Sequence, residues 1–84
     1  MIVHGRVQGV FFRDTARRMA TSRQVAGWIR NRQDGAVEAV FEGEPDHVES
    51  MLRFCEQGPR GAVVERVDVL EEPTEGIEGF AITR

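Results

Sequence analysis

Residues Ile2 to Gln8 alternate in polarity, with Val3, Gly5 and Val7 on one side and His4, Arg6 and Gln8 on the other. That is the period of a half-buried strand. A glycine inside such a run predicts that a neighbouring backbone passes close to Gly5. At Phe12 the period changes. Phe12, Ala16, Met19 and Ala20 recur at helical spacing as far as Arg23, with Arg17, Arg18 and Arg23 outside the apolar stripe. Val25 to Arg30, rich in Val, Trp and Ile, predicts a second strand. Asn31-Arg32-Gln33-Asp34-Gly35 carries the Asp-Gly signal of a tight turn. Ala36 to Glu42 alternates again, with Val37, Ala39 and Phe41 inward. Pro45 suits the first turn of a second helix, in which Val48, Met51, Leu52 and Cys55 form the apolar stripe, ending before Gly58-Pro59. Val63 to Leu70 predicts a fourth strand, Pro73 to Gly79 a loop, and Phe80 with Ile82 a short closing strand.

The order β-α-β-β-α-β, with a short strand added at the end, predicts an α+β ferredoxin-like sandwich: two helices on one face of a mostly antiparallel sheet. Residues 1–84 are expected to form one domain. In this topology the first and second strands run parallel, joined by a right-handed crossover, with the third strand between them. The C-terminal ends of the first two strands then share one edge of the sheet. Asn31, closing the second strand, is thereby expected near the loop that closes the first.

Charge sharpens this picture. The net charge is −3, yet residues 1–35 carry seven arginines against Asp14 and Asp34, a net of +5. Residues 36–84 carry four arginines against twelve acids, a net of −8. A basic half on an acidic protein predicts a small anionic ligand rather than a long nucleic acid. All 11 basic residues are arginine. Cys55 is the sole cysteine, which excludes an intrachain disulfide and a cysteine-based metal site and fits a reducing, cytoplasmic setting. No apolar run is long enough to span a membrane, and no basic-then-apolar leader is present, so no membrane partner is expected.

The candidate chemistry lies in the basic half. Gln8-Gly9-Val10-Phe11-Phe12-Arg13 turns from strand into helix, with a glycine at the bend and an arginine in the first helical turn. A helix start directs unpaired N–H groups and partial positive charge at one spot. Arg13 adds a cation with a planar fork of donors. Together these describe a cradle for a tetrahedral anion, although an ordinary tight loop with a solvated arginine has the same sequence. Asn31 fits either a turn-supporting amide or one that orients water beside a bound phosphoryl group. His4 and His47 lack the partners of a metal site, Cys55 reads as a core residue, and neither a metal nor a cofactor is expected. Such a site lacks a proton donor for a poor leaving group. An acyl phosphate departs as a carboxylate, whose conjugate acid has a pKa of about 4 to 5, so positioning and charge stabilisation can suffice.

The segment from Val3 to Arg13 (VHGRVQGVFFR) resembles the signature of the acylphosphatases, and Gly27 to Glu38 (GWIRNRQDGAVE) resembles their second signature. Gly58-Pro59 before Ala62-Val63-Val64, and the closing Phe80-Ala81-Ile82, are also similar to that family. The resemblance implies a ferredoxin-like fold and metal-free hydrolysis of a carboxyl–phosphate bond. It implies that Arg13 and the amides of Gln8, Gly9, Val10, Phe11 and Phe12 bind phosphate, and that Asn31 holds the attacking water. The implied partners are a small acyl phosphate and, as product, inorganic phosphate; a monomer is expected. Family members often carry several residues ahead of the first strand, so the expectation is either a frayed first strand or a sequence that lacks some native residues. Two alternatives remain. One is a nucleic-acid-binding module of the same strand order, which needs stacking aromatics on the open sheet face. The other is an acylphosphatase-like domain of a carbamoyl-transfer enzyme.

Overall fold

In the computed structural model, which describes residues 1–83, the alternating stretches form β1 (Ile2–Arg6), β2 (Ala26–Asn31), β3 (Val37–Glu42), β4 (Val63–Asp68) and β5 (Phe80–Ile82). The two stripes of helical period form α1 (Phe12–Ser22) and α2 (Pro45–Gln57). The sheet order is β4-β1-β3-β2-β5, antiparallel throughout except for the β2–β5 pair. This is the expected ferredoxin-like arrangement, with β3 between the parallel-running β1 and β2.

The core lies between the sheet and the helices. Val3, Val7, Ile29, Val37 and Ala39 meet Phe12, Ala16 and Ala20 of α1 and Met51 and Cys55 of α2. The alanines at i and i+4 let α1 lie close to the sheet, while the Phe12 and Phe54 rings join the two helices at 5.4 Å. Arg23 follows α1 and donates from Nε to Ser50 Oγ at 3.1 Å, a second tie between the helices. On the opposite face, Trp28 carries the Arg30 guanidinium 5.7 Å from its ring centroid.

Two glycines are required by close approach. A Cβ on Gly5 would fall on the Val63 carbonyl oxygen, and one on Gly27 on that of Val40. The backbone that the strand glycine implied is therefore β4, and the β1–β4 register shifts between His4 and Gly5. The start of β1 is paired. The Met1 ammonium donates to Ala39 O and the Ala39 N–H to Met1 O, both at 3.0 Å. This closes the strand's start against β3. β3 begins one residue later than the alternation suggested, at Val37, and β1 and β4 end earlier. β1 ends at Arg6, where the chain begins to bend. β4 ends at Asp68, and Val69 and Leu70 stay exposed. The segment beyond it is anchored by the Glu42 carboxylate, which accepts from the N–H groups of Glu75 and Ile77.

Cys55 is fully buried, and burial pushes its thiol up from 9.0 to about 12. The chain has no lysine and no tyrosine, the side chains that otherwise titrate in this range. Stability between pH 9 and 12 is thus governed by one side chain. A group whose folded pKa exceeds its unfolded value contributes stability that is complete below the unfolded pKa and lost as pH rises through the folded one. Urea melts from pH 8 to 11 should show stability falling above pH 9 with a limiting slope of about 1.4 kcal/mol per pH unit. Cys55→Ala should flatten that slope; an equally steep decline in the variant would contradict the assignment.

Candidate active site

The loop between β1 and α1 is built around one unusual residue. Phe11, the N-cap of α1, sits at φ 60°, ψ 24°, in the left-handed region. An L-residue there costs about 1–2 kcal/mol. Its side chain makes no capping hydrogen bond. The first helical bond runs from Thr15 N–H to Phe11 O at 3.0 Å, so the N–H groups of Phe12, Arg13 and Asp14 lie ahead of it, as helix-start donors do. The loop and this first turn enclose a cavity of about 270 Å³ lined by Val7, Gly9, Phe11, Phe12, Arg13, Asp14 and Ile82.

Arg13, half-buried at the second helical position, stands on that cavity and makes no ion pair among the described residues. A cation there opposes the helix dipole, so the fold gains nothing electrostatically from its position. Asp14 follows it, and its carboxylate is held by Arg17 at 3.1 Å and Arg18 at 3.3 Å. This pairing offsets the negative charge at the cavity wall.

The residues expected to act together are distributed in three ways. Gly9, Phe11, Phe12 and Arg13 line the cavity. Val10 packs its side chain against the core. Gln8 turns its amide towards the β2–β3 turn, where Nε2 donates to Arg32 O at 2.7 Å and to Ala36 O at 3.0 Å. Its side chain is therefore a tether between the loop and the turn, not a residue of the open sheet face. That turn is itself fixed: Asp34 accepts from Ala36 N–H at 3.1 Å and pairs with Arg32 at 3.2 Å. The Ala36 N–H, and then Arg32, hold the Asp34 carboxyl below the usual carboxylate range.

Asn31 precedes Arg32 at the end of β2 and pairs with Val37. The Gln8 tether thus ties the loop to the residue next to Asn31. Asn31 is not on the cavity wall. Its Oδ1 is buried and has no hydrogen-bond partner among the described residues, an arrangement that is costly unless another group supplies a donor. Asp14 and Ile82 were missed as cavity residues. The i, i+3 and i, i+4 spacing of Asp14 from Arg17 and Arg18 signals the ion pairs, but nothing local places Ile82 beside the loop. It arrives through β5, where Ile29 pairs with Ile82 and the Thr83 N–H donates to Ile29 O at 2.9 Å.

Among the described residues, no group of three or more His, Cys, Asp or Glu is placed to hold a metal ion, and no helix is long and apolar enough to cross a membrane. What the site offers is a ring of helix-start donors, an arginine and a buried amide acceptor, the equipment for binding a compact anion and orienting a donor beside it.

Comparison with known proteins agrees with this geometry. A family model described as acylphosphatase matches residues 1–82. The acylphosphatase of Synechococcus sp. is 54% identical over 80 residues, 95% of this chain and 85% of that protein. The crystal structure of acylphosphatase from Bacillus subtilis superposes with a TM-score of 0.92 at 37% identity, covering 99% of this chain and 93% of that one. HypF of T. kodakarensis matches with a TM-score of 0.78 at 31% identity, over 98% of this chain but 12% of its own. Sequence signatures, strand order and loop geometry converge, and the chain belongs to the acylphosphatase family.

Proposed function

We propose that this acylphosphatase hydrolyses acyl phosphates at the β1–α1 loop, with Arg13 and the loop amides holding the phosphoryl group and Asn31 orienting the attacking water. The observation that carries the reading is Arg13, an arginine without an ion-pair partner among the described residues, set on a cavity at a helix start. A phosphoryl group supplies the missing counter-charge and accepts from the amides of Gly9 to Arg13. Charge on its equatorial oxygens is stabilised by the guanidinium fork as the bond to the acyl oxygen lengthens.

Asn31 Oδ1 accepts from an O–H of the water, which satisfies the buried acceptor and directs a lone pair of the water at phosphorus. Water attacks in line, a new P–O bond forms, and the bond to the acyl oxygen breaks. The electron pair leaves on the carboxylate. The proton released by the water passes to an oxygen of the phosphoryl group itself, since Asp14, the carboxylate at the cavity, is already engaged by Arg17 and Arg18. The Gln8 tether keeps loop and amide in register, and positioning of this kind lowers the barrier without new chemistry.

Two expected outcomes test the reading. Hydrolysis of acetyl or benzoyl phosphate should proceed at the same rate with and without EDTA. Loss on chelation, restored by Mg²⁺ or Zn²⁺, would overturn the mechanism. Simple alkyl phosphomonoesters, whose leaving group needs a proton, should be turned over far more slowly than acyl phosphates. Comparable kcat/KM on the two classes would mean that an acid or a metal takes part. The higher identity to the acylphosphatases of Synechococcus sp. and Bacillus subtilis than to HypF favours a small acyl phosphate as the substrate.

A further inference from the structure

Phe11 is 79% exposed and left-handed at the cavity mouth. The backbone there asks for glycine or asparagine, which reach that conformation at little cost. A phenylalanine is strained in it and, exposed, recovers little of the strain through burial in the core. An exposed ring held there presents apolar surface to whatever fills the site. Across the same cavity stands Ile82, 39% exposed on β5. The cavity of about 270 Å³ is lined by Phe11 and Ile82 as well as by Arg13, so it offers apolar wall beyond the phosphoryl cradle. In-line attack also sends the leaving group away from the water. Asn31 is absent from the cavity wall, whereas Phe11 and Ile82 form part of it.

Resting on the acyl phosphate reading above, we infer that Phe11 and Ile82 form an apolar acyl subsite, and that the enzyme selects acyl phosphates with an aromatic or branched apolar acyl group over those with a small one. The phosphoryl group anchors at Arg13, and the acyl group lies between the ring and the isoleucine, where both exposed apolar surfaces are covered at once. The strained conformation holds the ring at the mouth, so little freedom is lost when the substrate arrives.

The experiment compares kcat/KM for benzoyl and acetyl phosphate in the wild type and in two folded variants, Phe11→Asn and Ile82→Thr. Asparagine tolerates the left-handed backbone and removes the ring; threonine keeps the β-branch that suits a strand. The wild type should favour benzoyl phosphate, and the benzoyl-to-acetyl ratio should fall about tenfold in Phe11→Asn and several-fold in Ile82→Thr. A general disturbance of the loop lowers both substrates alike and leaves the ratio at its wild-type value; that result overturns the subsite, as does a wild type indifferent to the acyl group. Failure of the wild type to hydrolyse either substrate would instead overturn the acyl phosphate reading itself, so the two failures are distinct.

Discussion

Arg13→Ala should lower kcat/KM for acyl phosphates by about 10³-fold or more, the range seen when an arginine that stabilises phosphoryl transfer is removed. Both ground state and transition state should suffer, because the guanidinium meets the phosphoryl oxygens in each. Inorganic phosphate, the product, should compete with substrate in the wild type and only weakly in the variant. Arg13→Lys should also be damaging although the charge is kept, since an ammonium is a point charge and cannot bridge two oxygens as the fork does. Folding should respond in the opposite sense. Arg13 occupies the second position of α1 without an ion pair among the described residues, and a cation there opposes the helix dipole. Arg13→Ala should therefore leave stability unchanged or raise it by a few tenths of a kcal/mol. A residue that serves the site at a small cost to the fold shows this combination. Steady-state kinetics with added phosphate, beside a thermal melt, decides the matter. Wild-type turnover and phosphate inhibition in folded Arg13→Ala would remove the cradle and the mechanism with it.

Arg13 could be read in the sequence because two local signals coincide there. The polarity period changes from strand to helix at Phe12, and the one glycine between them marks the bend. Asn31 could be placed near it only by topology. The strand order brings the ends of β1 and β2 to one edge, and the Gln8 side chain makes the contact that the order implies. That contact itself was illegible. It joins residues 24 and 28 positions apart, and a glutamine in an alternating run reads as a solvent-facing residue. Phe11 was illegible for a different reason. Propensity assigns the left-handed region to glycine or asparagine, and an aromatic residue carries no local sign of it. Val69 and Leu70 extend the apolar alternation of β4, but the β1–β4 pairing runs only as far as Ile2 and Asp68, and both residues stay exposed. The alternation therefore outlasts the strand. In each case local pattern described what the backbone prefers, and the difference arose where a distant segment set the geometry.

Asn31 carries the second large effect, and its two readings place the loss in different quantities. If the amide only supports the β2–β3 turn, Asn31→Ala should cost stability and leave activity per folded molecule intact. The buried, unpartnered Oδ1 argues otherwise. An acceptor that no protein group meets adds little to the fold, so its removal should leave the melting temperature near its wild-type value. The turn keeps its own supports in Asp34, Arg32 and the Gln8 tether. Catalysis should fall instead, with kcat reduced by about 10²- to 10³-fold, as when another precisely placed hydrogen-bonding group is lost. Binding should be spared, because Arg13 and the loop amides still hold the phosphoryl group; the inhibition constant of inorganic phosphate should stay near its wild-type value. A loss in kcat with phosphate binding kept is the mark of an interaction that matters only when water attacks. Asn31→Asp separates the amide's shape from its chemistry. It preserves the size of the side chain but sets a carboxylate near the phosphoryl group, so phosphate inhibition should weaken as well. Single-turnover kinetics on benzoyl phosphate, with a thermal melt of each variant, reads both quantities, and near-wild-type kcat in folded Asn31→Ala would assign the amide to the turn alone.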